Sequence, residues 1–121
     1  MPKILIVDDD ITITELMKAL VKMEGHVPTT VNDSLQALEI AKSTEPDLIT
    51  LDLMMPGLTG FELCKLLHDE PKFANTPIVI VSAKDDPESM EQARQAGAID
   101  YLTKPFSLEE FLKKIKPFVS K

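Results

Sequence analysis

Four aspartates stand at the points where two apolar runs of this sequence end. Asp8, Asp9 and Asp10 follow the first run, and Asp52 follows another. Both runs predict buried strands, and ligands bind at the carboxyl ends of the strands in an open parallel sheet. Carboxylates that lie this close repel one another unless a cation neutralises them, and ligation by oxygen alone favours Mg²⁺ over zinc. The sequence therefore predicts a magnesium site at one edge of a sheet.

A hydroxyl and an amine follow two further apolar runs. Ser82 directly follows one of them, and Lys104 follows the other, immediately before a proline. In a parallel sheet these side chains would meet the acids at the same edge. A metal among carboxylates, with a hydroxyl and a lysine beside it, suits a phosphoryl group, whose oxygens need cations and hydrogen-bond donors.

The elements that must position these groups alternate along the chain. Segments between the apolar runs repeat their apolar residues with the three-and-four spacing of helix faces. The predicted strands are 4–7, 27–31, 48–51, 78–81 and 99–102. This repetition of strand and helix predicts an α/β fold, in which helices cover both faces of a parallel sheet.

Capping residues mark the ends of the predicted helices. Serine, threonine or aspartate followed three residues later by glutamate or glutamine predicts a capping box, and glycine after a helix predicts a left-handed cap. Boxes are predicted for Asp33 with Gln36, Thr59 with Glu62, and Ser107 with Glu110, a start at Asp86, and ends at Gly25 and Gly97. Asp10 is most simply a cap as well. The connection 69–77 is expected to be an ordinary surface loop.

Size and composition exclude several classes of protein. The 121 residues suffice for one domain, and the net charge of −7 argues against direct contact with nucleic acid. No stretch approaches a membrane span and no signal peptide is visible, so a cytoplasmic protein is expected. Cys64, the single cysteine, is expected to be an ordinary buried or half-buried residue. His26 and His68 are expected to lie at the surface.

Four segments occur together in an order and spacing typical of one family. They are IVDDD at 6–10, DLMMPGLTGFELC at 52–64, IVIVSAKDD at 78–86 and AGAIDYLTKPF at 96–106. With them the chain resembles the response-regulator receiver domain of two-component signalling, over residues 1–121. The resemblance implies a flavodoxin-like, doubly wound sheet of five parallel strands, in the order 2-1-3-4-5, with five helices on its two faces.

The same resemblance implies a role for each acid. Asp52 would accept a phosphoryl group from the phosphohistidine of a sensor histidine kinase or a histidine phosphotransfer protein. Asp8, Asp9 and Asp52, together with the backbone carbonyl of Met54, would bind Mg²⁺. The module would catalyse only its own phosphorylation and dephosphorylation, so an enzyme with a separate substrate is not expected.

Three further residues have implied roles in catalysis and switching. Ser82 and Lys104 would bind phosphoryl oxygens, and a cis peptide before Pro105 would aim the lysine inward. Ser82 would then move toward the phosphoryl group, and Tyr101 would rotate into the vacated space. The face formed by the fourth helix, fifth strand and fifth helix would change for an unknown protein partner, whereas the first helix would dock the kinase. No output domain follows Lys121, so a stand-alone receiver that controls partners or relays phosphate is expected.

Three other functions fit parts of the sequence. The segment DDDIT at 8–12 fits the D-x-D-x-T motif of haloacid-dehalogenase-like phosphatases, with Asp8 as the nucleophile. Their closing acidic pair should follow the lysine, whereas the acids at 85–86 precede Lys104. A flavodoxin-like FMN carrier would need hydroxyls, not three carboxylates, after its first strand. A receiver relative used only for docking would not need the full set of acids with Ser82 and Lys104.

Overall fold

Five parallel strands form one sheet. The structure is a computed structural model that describes residues 1–119; Ser120 and Lys121, the end of the predicted domain, lie outside the described residues. The strands are β1 (Lys3–Val7), β2 (Val27–Val31), β3 (Leu48–Leu51), β4 (Ile78–Ser82) and β5 (Asp100–Thr103). They pair in the order β2-β1-β3-β4-β5, with every pair parallel, which confirms the predicted flavodoxin-like topology.

A helix follows each strand. The helices are α1 (Ile11–Met23), α2 (Ser34–Thr44), α3 (Gly60–Asp69), α4 (Pro87–Gln95) and α5 (Leu108–Val119), and a short 3-10 helix spans Pro71–Phe73. Within residues 1–119, no helix has both the length and the apolarity needed to cross a bilayer.

Alternate residues of the central strands pack into two separate cores. Ile4 and Ile6 point toward α1 and α5, whereas Leu5 and Val7 point toward α2, α3 and α4. Strands covered on both faces need apolar side chains at every position, which explains the continuous apolar runs. Each large side chain buried in this way contributes about 1.5–3 kcal/mol, so the two cores fix the positions of the strand ends.

Most of the predicted helix boundaries are confirmed. Thr59 with Glu62, and Ser107 with Glu110, exchange the two hydrogen bonds of a capping box. The capping box predicted for Asp33 with Gln36 is wrong. The Asp33 carboxylate accepts the N–H of Leu35 and not that of Gln36. The remaining predicted caps have the expected geometry: Asp10 and Asp86 accept N–H groups of α1 and α4, and Gly25 and Gly97 have positive φ.

Two expectations of surface positions need correction. The connection 69–77 contains the 3-10 helix, whose Phe73 is buried in the core on the α2–α4 side of the sheet. His26 is half-buried, with a shielded Nδ1 that has no hydrogen-bond partner among the described residues. His68 is exposed as predicted, and Cys64 is buried. Phe73 is buried because it packs with the residues of that core, several of which are distant from it in the sequence.

The start of α3 lies directly against the residue that ends β3. A Cβ added at Gly60 would lie 2.2 Å from the backbone oxygen of Asp52 and 2.4 Å from the Cα of Leu53. Real Cβ atoms never come so close to backbone atoms, so only glycine allows α3 to begin here. The Gly60 N–H also donates to the Leu53 carbonyl at 3.0 Å.

We expect Gly60→Ala to lower the free energy of unfolding by at least about 3 kcal/mol, because the helix must move away from the backbone of β3. Gly25→Ala is the control: a Cβ there meets nothing within 4 Å, and its φ of +83° is the only source of strain. That strain costs about 1–2 kcal/mol. Urea unfolding of both variants measures the difference, and equal losses would contradict the close approach.

Candidate functional site

The acids after β1 take three different positions. Asp8 is 2% exposed, and its Oδ1 accepts the Asp10 N–H at 2.9 Å. The Asp8 N–H in turn donates to the carbonyl of Val31 in β2 at 3.0 Å. Asp9 is exposed, and Asp10 caps α1, as its position predicted. The turn therefore directs one acid inward, leaves one at the surface and uses the third for the helix.

Asp52 ends β3 beside this turn. Its N–H donates to the carbonyl of Val7 at 3.0 Å, so the pairing of neighbouring strands continues into the acid itself. The residue is 5% exposed. Its Oδ1 lies 3.4 Å from the Met54 amide, which donates to it. The carbonyl role predicted for Met54 stays a prediction.

Lys104 brings a positive charge to both acids. Its Nζ lies 2.5 Å from Asp8 Oδ2 and 3.7 Å from Asp52 Oδ2, and its side chain is 16% exposed. The Lys104 N–H donates to the carbonyl of Ser82, which continues the pairing of β5 with β4. The Lys104–Pro105 peptide is cis, as the resemblance to receiver domains implies.

The three acids of the cluster could hold one cation. Asp8, Asp9 and Asp52 each offer a carboxylate oxygen, and these atoms lie within 4.8 Å of one another. Ligands on opposite sides of Mg²⁺ stand about 4 Å apart, so a small adjustment of these oxygens fits a single ion. Three carboxylates and one ammonium leave a net negative charge, and all-oxygen ligation suits a hard divalent cation.

Burial and charge both act on the acid of β3. Burial, and next the charge of Asp8, raise the pKa of Asp52 above its ordinary value of 3.8, although Lys104 opposes them. A carboxylate held this way binds a proton or another electrophile more readily than one in water. Asp52 therefore carries its negative charge at a higher free-energy cost than a carboxylate in water does.

Ser82 and Tyr101 lie on the β4 side of the cluster. Ser82 is fully buried at the end of β4, and its Oγ accepts the Lys84 N–H at 3.3 Å. The Tyr101 hydroxyl donates to the Lys84 carbonyl at 2.7 Å. Burial raises the pKa of the Tyr101 hydroxyl above its ordinary value. The two hydroxyls predicted to switch together therefore both bond to the backbone of Lys84.

Comparison with known proteins identifies the family. The response regulator receiver domain matches residues 4–116 of this chain. The chain belongs to that family. A receiver with this fold places its acids at the carboxyl ends of β1 and β3, where this structure has Asp8, Asp9 and Asp52.

Several known proteins are similar to this chain. The chain is 38% identical over 117 residues to protein PilG of Pseudomonas aeruginosa, covering 97% of this chain and 87% of that protein. It is 37% identical over 116 residues to the DNA-binding dual master transcriptional regulator RpaA of Synechocystis, covering 96% of this chain but 48% of the regulator. The chain thus spans about half the length of RpaA. The structure of chemotaxis protein CheY4 of Vibrio cholerae superposes with a TM-score of 0.93, at 32% identity, over 98% of this chain and 99% of that one.

The receiver site brings together nearly all of the residues predicted from the sequence. Asp8, Asp9, Asp52 and Lys104 form one cluster. Ser82 ends β4, which lies between β3, the strand before Asp52, and β5, the strand before Lys104. Asp86, one of the two acids that precede Lys104, caps α4 at an exposed position and lies outside the cluster. The interpretation as a phosphatase therefore loses its second acidic pair.

The sequence did not predict the residues that contact the backbone of the loops carrying these acids. Asn32 and Ser34, after β2, bond to the loops that carry the acids, and Gly60 lies against Asp52. Asp33, which lies between Asn32 and Ser34, was predicted to cap a helix. The serine next to this cap was the only signal in the sequence for these supporting contacts. A hydroxyl next to a cap is too common to predict such a contact.

Asp52→Asn should stabilise this receiver in the presence of chelator. Because the folded state raises the pKa of Asp52, the stability due to this group is present below the ordinary value of 3.8 and is lost as the pH rises through the folded pKa. At pH 7 a neutral amide removes the repulsion, with a gain on the order of 1 kcal/mol, or about 3–5 °C in Tm.

Thermal unfolding with EDTA between pH 4 and pH 8 measures this effect. The difference in Tm between variant and wild type should shrink toward acid pH. Adding Mg²⁺ at pH 7 should also reduce this difference, because only the wild type keeps all three acids and the ion stabilises it more. Asp69→Asn, which removes an exposed ion pair with Lys65, is the matched control and should change Tm little. A destabilised Asp52→Asn protein at neutral pH would contradict the repulsion.

Proposed function

We propose that this receiver is a phospho-acceptor response regulator that takes a phosphoryl group onto Asp52. The observation that carries the proposal is the pair of distances from one ammonium, Lys104 Nζ, to the carboxylates of both Asp8 and Asp52. That ammonium lies where it can neutralise phosphoryl oxygens arriving beside Asp52. Phosphoryl transfer needs little from a protein beyond such positioning and charge.

Each residue of the cluster has a defined task in the proposed transfer. An Asp52 carboxylate oxygen attacks phosphorus as the bond from phosphorus to the donor histidine nitrogen breaks, and that nitrogen keeps the electron pair. Lys104 turns from Asp8 toward a phosphoryl oxygen. Ser82 donates its hydroxyl to another, which requires it to give up its contact with the Lys84 amide. Mg²⁺ held by Asp8, Asp9 and Asp52, with the Met54 carbonyl, would neutralise the remaining charge.

A sensor histidine kinase or a histidine phosphotransfer protein is the proposed donor. The helix that follows the acids of β1 presents exposed apolar side chains: Ile11, Leu16 and Met23. A donor docked along α1 would reach the cluster at the start of that helix. The proposal therefore assigns α1 to donor recognition.

The face formed by α4, β5 and α5 is the proposed output surface. A shallow cavity of about 160 Å³ lies between α4 and β5, and Met90, Ile99 and Tyr101 help to line it. Ile99 is 59% exposed and Met90 36%, so this face offers apolar surface to a partner. Since Tyr101 connects this face to the Lys84 carbonyl, a change at the cluster can reach it. A protein partner of unknown identity would bind here, or phosphate would be relayed onward.

The proposal describes a cytoplasmic signalling module and not an enzyme with a separate substrate. Its only chemistry is the gain and loss of its own phosphoryl group. Direct contact with nucleic acid or membrane forms no part of the proposal, because the net charge is −7.

Incubation with acetyl phosphate and Mg²⁺ tests the acceptor directly. Intact-mass measurement should show one added phosphoryl group on the wild type, and site mapping should place it on Asp52. Asp52→Asn or excess EDTA should abolish it, because the nucleophile or the counter-charge is missing. Asp69→Asn should be phosphorylated like the wild type, since its carboxylate only pairs with Lys65 at the surface. A phosphoryl group mapped to Asp8 would instead support the phosphatase interpretation.

Ser82→Ala should separate phosphorylation from switching. The change is nearly isosteric in a fully buried position, so the variant should fold and still be phosphorylated, although more slowly. Without the hydroxyl, the loop at Lys84 has nothing to draw it toward the phosphoryl group. NMR amide shifts on α4 and β5 should therefore change much less than in the phosphorylated wild type. A full set of shift changes in Ser82→Ala would refute the proposed coupling.

A further inference from the structure

A buried serine behind the site touches the loop that carries the acceptor. Ser34, the first residue of α2, is 2% exposed. Its hydroxyl donates to the Pro56 carbonyl at 2.8 Å and accepts the Leu58 N–H at 3.0 Å. Both partners belong to the loop that begins at Asp52 and leads into α3. One side chain thus satisfies two backbone groups of a segment that starts 18 residues further along the chain.

The contact between this loop and α2 leaves no free space. Gly57 has a φ of +82°, and a Cβ added there would lie 3.1 Å from Ser34 Oγ and 3.3 Å from Leu35 Cγ. Gly60 closes the other end of the loop against the Asp52 backbone. The loop is therefore held by α2 at Pro56–Leu58 and, where it enters α3, by the close approach of Gly60 to the Asp52 backbone.

A second side chain after β2 reaches the other acid loop. Asn32 Nδ2 donates to the Asp8 carbonyl at 2.9 Å and to the Thr14 hydroxyl oxygen at 3.0 Å. The Thr14 hydroxyl in turn donates to the Ile11 carbonyl in the first turn of α1. Asn32 therefore ties the backbone of Asp8 to the helix that follows it.

We propose that Asn32 and Ser34 are positioning residues of the receiver, which hold the Asp8 and Asp52 loops in place against the repulsion between their carboxylates. The inference rests on the proposed function, because it takes these loops to be the Mg²⁺- and phosphoryl-binding loops. β2 supplies no ligand to the cluster, yet the two residues that follow it within three positions bond to both loops. Ser34 acts on Asp52 through the loop that also carries the Met54 amide, 3.4 Å from Asp52 Oδ1.

Removal of either side chain should weaken cation binding. In Ser34→Ala the Pro56 carbonyl and Leu58 N–H lose their shared partner, so the loop samples arrangements that cannot bind Mg²⁺. We expect about tenfold weaker Mg²⁺ binding by calorimetric titration and phosphorylation by acetyl phosphate slowed to a similar degree. Hydrogen exchange at the Leu58 amide should accelerate even in EDTA. Loss of global stability alone would not change the Mg²⁺ affinity of a protein that stays folded.

Ser43→Ala is the matched control in the same helix. Its exposed hydroxyl donates to the Ile40 carbonyl at 3.1 Å and touches neither loop, so Mg²⁺ affinity should match the wild type. Asn32→Ala, a change at an exposed residue, should also weaken Mg²⁺ binding about tenfold, and it decides the matter if Ser34→Ala does not fold.

Wild-type Mg²⁺ affinity in every folded variant of Ser34 and Asn32 would overturn the positioning roles. A wild-type protein that binds Mg²⁺ but accepts no phosphoryl group would overturn the proposed function instead. In that case the Mg²⁺ affinities and the Leu58 exchange rate still decide whether the two residues position the loops.

Discussion

The repulsion between two buried carboxylates is the constraint on which the rest of this structure depends. Unit charges about 4 Å apart interact by about 4 kcal/mol at an effective dielectric constant of about 20, which is more than a typical hydrogen bond contributes. Lys104 offsets part of this repulsion through its contacts with Asp8 and Asp52, yet the pKa of Asp52 is still raised, first by burial and then by Asp8. The cluster stays short of positive charge, and that deficit makes it receptive to a divalent cation.

The order of the strands creates this repulsion. Because β1 lies between β2 and β3, the pair Val7–Leu51 ends both strands at the same level, and the next residue of each is an acid. The two apolar cores hold the strands in that register, since a shift would move apolar side chains out of their layers. The surrounding fold therefore supplies the free energy that keeps the acids together, and the acids themselves oppose it.

Local signals in the sequence were enough to predict the sheet, most helix caps and the residues of the cluster. The acids could be found because each directly follows an apolar run, and Thr59 with Glu62 because a capping box spans three residues. Contacts between distant segments could not be predicted in this way. Ser34 meets Leu58 across 24 positions, and Phe73 is buried by helices on either side of it in the sequence. In such cases tertiary packing, and not the adjacent residues, decides what a side chain touches.

The same distinction applies to communication from the site to the surface. Tyr101 belongs to β5, yet its hydroxyl bonds to the carbonyl of Lys84, two residues beyond Ser82. Lys84 also donates its N–H to Ser82 Oγ, so one residue is bonded on both sides of its backbone. In the proposed switch, a movement of the Ser82 hydroxyl toward Asp52 would break its contact with the Lys84 N–H and change where the Lys84 carbonyl points. The Tyr101 bond would then be made or lost, which would give two discrete arrangements that a charge on Asp52 could bias.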